Sequence, residues 1–139
     1  MIRYAFAWTV CAALALLGCE EKSPRQISEK PEREVVAMQT RHFATNDTRA
    51  VLRGVVASFS DGGYIVKRAD LSYSLVTAIK GWLMAEARVT PYGASTAVQL
   101  DVFVGSQFAS QQVDAPEFYQ KTFYDRLSTV LGLPALPPP

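Results

Sequence analysis

An α+β two-layer sandwich, with an antiparallel sheet of about five strands packed by two helices, is the fold class this chain predicts. Three observations carry it: two segments whose apolar residues recur at spacings of three and four, several strand-like runs between them, and turn signals separating those runs. A 139-residue chain with 49% hydrophobic content has enough apolar surface for one core, so one domain is expected over residues 35–133.

The elements follow in order. Val35 to Phe43, VVAMQTRHF, has the β-branched content of a strand and is expected to open the sheet. Thr45-Asn46-Asp47 offers an N-cap to a helix whose stripe is Val51, Leu52, Val55, Val56 and Phe59, and Asp61-Gly62-Gly63 stops it. Strands are then expected at Tyr64 to Asp70, Leu75 to Ile79, Ala85 to Thr90 and Thr96 to Val104. In the last of these Val98, Leu100, Val102 and Val104 point one way, with Gln99 and Asp101 the other. Gly81 and Pro91-Tyr92-Gly93 mark hairpin turns.

A second helix begins at Asp114-Ala115-Pro116-Glu117, with Asp114 as N-cap candidate and an acid at the positive helix end. Its stripe is Tyr119, Phe123, Leu127 and Val130 or Leu131, and Gly132 ends it. The order β-α-β-β-β-β-α lets both helical stripes cover one face of the sheet. Residues 134–139, rich in proline, cannot resume a helix and read as a frayed tail or a polyproline ligand.

Charge excludes one partner class. With 14 Lys and Arg against 13 Asp and Glu, the chain lacks the basic excess of a nucleic-acid binder. Its 2 cysteines, Cys11 and Cys19, both precede the body, so neither a disulfide nor a cysteine metal site is available to the domain.

The first residues read as a targeting segment. Met1-Ile2-Arg3 is a short positive start and Tyr4 to Leu17 an uncharged apolar run, the two parts of a secretory signal over residues 1–18. That run is short for a spanning helix, since a hydrocarbon core of about 30 Å needs about 20 apolar residues. Loss of Arg3 with the signal leaves 13 basic and 13 acidic residues, a formally neutral mature chain.

Leu16-Leu17-Gly18-Cys19 closes this run and resembles the lipobox of bacterial lipoproteins. The resemblance implies that Leu16, Leu17 and Gly18 are read by the signal peptidase, that the Cys19 thiol carries a diacylglycerol, and that the new amino group is acylated, typically with palmitate. A thiol suits thioether formation, and a small Gly18 admits the protease to the backbone. The competing account is an ordinary signal peptide with an incidental cysteine. Several acyl chains, at about 0.8 kcal/mol per buried methylene, would hold the protein at the membrane. Glu20, in place of the Asp that retains enterobacterial lipoproteins in the inner membrane, points to the periplasmic face of the outer membrane; the inner membrane is the alternative.

Residues 19–34 comprise Cys19 and a charged, proline-containing run, EEKSPRQISEKPERE, expected to be a flexible linker that reaches at most about 50 Å. The topology is similar to that of helix-grip domains in some outer-membrane assembly lipoproteins. Gln39 to Ala78 also resembles a stretch of small, uncharacterised bacterial lipoproteins.

Catalytic signatures are missing. His42 is the single histidine, no Gly-x-Ser-x-Gly elbow occurs, and Gly62-Gly63 follows a helix instead of opening one over a phosphate. No cofactor is expected. What the chain offers instead is a basic patch formed by Arg41, Arg49 and Arg53, together with Tyr64, Tyr73, Trp82 and Tyr92 near turns. These features predict a noncatalytic, membrane-anchored envelope lipoprotein that binds another envelope protein through a sheet edge or this aromatic and arginine surface. The alternative is a periplasmic carrier of a small ligand or lipid, held between sheet and helices.

Overall fold

The computed structural model describes residues 25–106 and 108–139. Its chain order is β1 (Arg25–Gln26), α1 (Glu32–Gln39), β2 (Thr40–Phe43), α2 (Thr48–Asp61), β3 (Ile65–Asp70), β4 (Leu75–Lys80), β5 (Leu83–Tyr92), β6 (Ser95–Gly105) and β7 (Ser110–Gln112). A last helix starts as α3 (Pro116–Tyr119), widens through a π-helical turn at Gln120–Tyr124 and continues as α4 (Asp125–Leu131). Among the described residues the sheet has seven strands in the order β1-β7-β6-β5-β4-β3, with β2 also paired to β6. The expected α+β class therefore holds, with more strands and one more helix than the periodicity suggested.

The middle of the sheet is an antiparallel meander. Its register runs Val76↔Ala87 and Ala78↔Ala85 between β4 and β5, then Ala87↔Leu100 and Ala85↔Val102 between β5 and β6. All six of these side chains are buried on one face, beneath Val51, Val55 and Phe59 of α2 and Tyr119, Phe123, Tyr124 and Leu127 of the last helix. Each large apolar side chain enclosed there contributes about 1.5–3 kcal/mol relative to exposure. Both stripes read from the sequence are thus core, although Val130 is exposed and Leu131, half-buried, takes the last position.

Asp47 caps α2 as expected, its carboxylate accepting from the Ala50 amide at 2.9 Å. Asp114 does not cap the last helix: Ala115 holds that position without a side-chain bond, and Asp114 instead accepts from the Ser28 hydroxyl at 2.8 Å. The helix ends at Gly132 in the left-handed conformation, φ 65°, as the sequence indicated.

Residues 35–43 are not one strand. Pro31 sets a helix start, its carbonyl accepting from the amides of Glu34 and Val35, and Glu32 and Glu34 lie at the positive end of α1. Val35 and Met38, three apart, are buried, while Val36 between them is exposed. Helical spacing thus overrides β-branched content, and β2 begins only at Thr40, pairing antiparallel with β6 from Thr40↔Gln99 to Phe43↔Thr96.

Part of the expected linker is also bound to the domain. Glu20 to Pro24 lie outside the described residues, but Arg25 and Gln26 pair in parallel with Ser110 and Gln111. The Ser28 amide donates to Gln112 Oε1 at 3.0 Å, and Lys30 Nζ to the Asp114 carbonyl at 2.7 Å. Those partners are more than eighty residues away in sequence, so composition alone misses them. The proline-rich tail is likewise held, because Leu136 and His42 exchange backbone hydrogen bonds of 2.8 and 2.9 Å.

Among the described residues no helix is long and apolar enough to cross a membrane. Cys19, the expected lipidation site, and Leu16, Leu17 and Gly18, the residues expected to be read by the signal peptidase, lie outside the described residues.

Candidate functional site: a groove and two ends of the sheet

The strand register gives the sheet two distinct ends. At one, β2 finishes in Phe43, the β3–β4 and β5–β6 turns lie side by side, and α2 begins. The Ser74 carbonyl accepts from the Val89 amide, and Thr96 Oγ1 donates to the Thr45 carbonyl, which ties turns, sheet and helix start together.

The β3–β4 turn is built by Asp70. Its Oδ1 accepts from the amides of Ser72 (3.0 Å) and Tyr73 (3.2 Å), an Asx turn, while Oδ2 pairs with Arg68 at 2.7 Å. The Arg68 hydrogen bond first, and the turn amides with it, hold the Asp70 carboxyl below the usual carboxylate range. Ser74 leaves the turn at φ 51°, a conformation unusual outside glycine. The outcome is that Leu71 and Tyr73 stand out from the surface, 69% and 75% exposed.

Behind Leu71 a groove of about 280 Å³ runs between α2 and β3, lined by Leu52, Arg53, Val56, Ala69 and Leu71. Arg53 is exposed at its wall, and Arg49 is exposed one turn earlier on the same helix. Tyr92 extends this end and packs its ring edge-on to His42 at 4.8 Å. His42 is buried, with Nδ1 3.4 Å from the Ser95 hydroxyl.

Arg41 separates from the other two arginines. Its guanidinium donates to Gln120 Oε1 and to the carbonyls of Ala37 and Thr40, and it lies 5.5 Å above the Tyr124 ring. It joins β2 to the last helix, and the expected three-residue patch reduces to Arg49 and Arg53 beside an apolar groove. Sequence spacing placed those two on one helix face. Leu71 was not singled out, because an exposed leucine in a turn has no periodicity to signal it.

The β3 edge of the sheet is a poor docking strand. The exposed edge β3 carries a bulge between Val66 and Arg68, with Lys67 and Arg68 on it, features that twist and charge an edge against strand addition.

The face of the sheet away from α2 and the last helix carries the register row Thr77↔Glu86↔Asp101. Opposed carboxylates repel, and Asp101 is held by the side-chain amides of Gln39 (3.0 Å) and Gln112 (2.9 Å) while Arg88 lies 3.5 Å from Glu86. A shallow recess of about 470 Å³ flanks Asp101, lined in part by Ile27, Val35, Val36 and Lys30. The space between sheet and helices, by contrast, is filled by the buried side chains named above. Among the described residues no three of His, Cys, Asp and Glu converge as a metal site.

Comparison with known proteins returns nothing similar: no protein-family model, no curated protein and no solved structure matches this chain.

Proposed function

We propose that this chain is a noncatalytic, lipid-anchored envelope lipoprotein, an accessory or scaffold component that binds another envelope protein. Its anchor is the acylated Cys19, and its place is the periplasmic face of the outer membrane, with the inner membrane as the alternative. The observation that carries the binding reading is the groove that Arg53 and Leu71 both line, with Arg49 exposed one turn earlier on α2 and Tyr73 exposed in the same turn as Leu71. An exposed aliphatic and an exposed tyrosine beside two arginines match the composition of protein interfaces, where aromatic and arginine anchors carry most of the energy. The fitting partner presents an apolar side chain for the groove and a carboxylate for the arginines.

Affinity purification of the detergent-solubilised protein is the test. Wild type should retain a partner that is lost or reduced at least tenfold in Arg53→Glu and in Leu71→Asp, with thermal unfolding unchanged. Equal recovery by all three would remove the groove from consideration. The carrier reading draws on a different feature, the recess beside Asp101, and recovery of a lipid or small molecule with no protein would favour it.

A further inference from the structure

The other end of the sheet collects exposed apolar side chains where the chain arrives from Cys19. Ile65 pairs with Ile79 at the start of β3, Leu83 with Val104, and Gly105 with Ser110, whose neighbour on the far side is Arg25. The Gly105 amide donates to the Trp82 carbonyl at 2.8 Å, which places the β4–β5 turn beside the close of β6. At this end Trp82 is 71% exposed, Phe108 81%, Ile65 61% and Val104 44%. Lys80 precedes the turn, and Asp61 closes α2 at the same end on the helix side.

The length of chain preceding β1 selects what covers this end. Five residues lie between Cys19 and Arg25, so the link reaches at most about 20 Å. The far end, with Leu71, Tyr73 and Tyr92, is about 30 Å away along β6. An anchor at Cys19 therefore brings the Trp82 and Phe108 end towards the bilayer and turns the groove away from it.

We infer that this end is a membrane-contact surface, in which Trp82, Phe108, Ile65 and Val104 enter the headgroup region of a phospholipid bilayer while Cys19 is acylated. The inference rests on the lipid-anchor reading and adds an orientation to it. Tryptophan and phenylalanine suit that depth, because a ring there leaves water while polar groups of the turns stay hydrated. The anchor and the surface act together: the acyl chains raise the local concentration of the apolar end at the interface, so contacts too weak to recruit the body alone become populated.

The chain supplies its own reporter, since its 2 tryptophans are Trp8, in the signal segment, and Trp82. The mature protein is purified from a bacterial host and reconstituted in vesicles of phosphatidylethanolamine and phosphatidylglycerol, with or without brominated acyl chains. Mass spectrometry reads acylation of Cys19 in the same preparation. The expected result is an acylated protein whose Trp82 emission shifts to the blue and falls at least twofold with brominated lipid. Phe108→Ser should weaken the quenching, and Tyr73→Ser at the opposite end should leave it unchanged. Acylated, vesicle-bound wild type with unquenched Trp82 emission would overturn the contact surface and leave the anchor standing. A Cys19 without lipid would remove the anchor and the contact surface together.

Discussion

Tyr124 shows how much one side chain can fix in a fold of this size. It is fully buried, and its hydroxyl lies against the carbonyl oxygens of Gln39 and, at 2.9 Å, Val98, donating to one at a time. It thus joins the last helix to the end of α1 and to β6. Tyr124→Phe keeps the ring and leaves buried carbonyls short of a donor, so it should cost about 1–3 kcal/mol in urea unfolding. Tyr119 does related work, donating to the Val113 carbonyl at 2.6 Å and lying 3.3 Å from Gln39 Nε2. Burial pushes its hydroxyl up to about 12 and raises that of Tyr124 further, from an ordinary value of 10.0. Above that ordinary value the unfolded chain loses protons that the native tyrosines keep, so the unfolded state binds fewer protons and stability falls as pH rises. The urea midpoint should therefore decline from pH 10.0 towards 12, and phenolate absorbance of the native protein should lag that of the unfolded chain. A midpoint constant over that window would contradict the assignment.

Among the elements, β7 depends most on a single backbone conformation. Gly105 sits at φ 139°, and a Cβ there would lie 2.2 Å from the Ala109 carbonyl oxygen, an overlap no rotamer relieves. Gly105→Ala should destabilise by more than 2 kcal/mol. Because among the described residues β1 pairs with β7 alone, at the edge of the sheet, the amides of Ser110–Gln112 should also lose hydrogen-exchange protection before those of β4 and β5. Uniform loss across the sheet would show instead that β7 unfolds with the core. The long stripes of α2 and the last helix were legible in the sequence because each buries residues three and four apart. The alternation of β6 was legible as far as Val102, but Val104, in phase with it, lies beyond the helices and is exposed. Helix α1 was hidden because a short element with two buried apolar residues gives a period too brief to separate from a strand.

For the molecule as a whole, the attachment of residues 25–30 decides how far the body would stand from the anchor proposed at Cys19. A free linker to Glu34 would allow about 50 Å, whereas pairing at β1 leaves about 20 Å. Asp114 receives the Ser28 hydroxyl and its carbonyl receives Lys30, so it sits at the centre of this attachment. Asp114→Ala should make the Arg25–Gln26 bond open to limited trypsin digestion at least tenfold faster, with the core transition moved by no more than about 1 kcal/mol, as expected for one exchanged surface contact. Unchanged digestion would mean that β1 pairing alone secures the segment. Of the candidate site, Arg49 and Arg53 could be read from helical spacing; their separation from Arg41 could not, because Arg41 is drawn to Gln120 and Tyr124 across the fold.

Local pattern by itself determined the α+β class, the two long helices with their stops, the four strands of the meander and the face of β6 that enters the core, since each rests on neighbours within a few residues. Tertiary structure alone decided that residues 25–30 belong to the domain, that β7 exists, and that Arg53 meets Leu71 in a groove at the opposite end from Trp82. Those features depend on hydrogen bonds and pairings between residues far apart in the chain, whose partners no periodicity reveals.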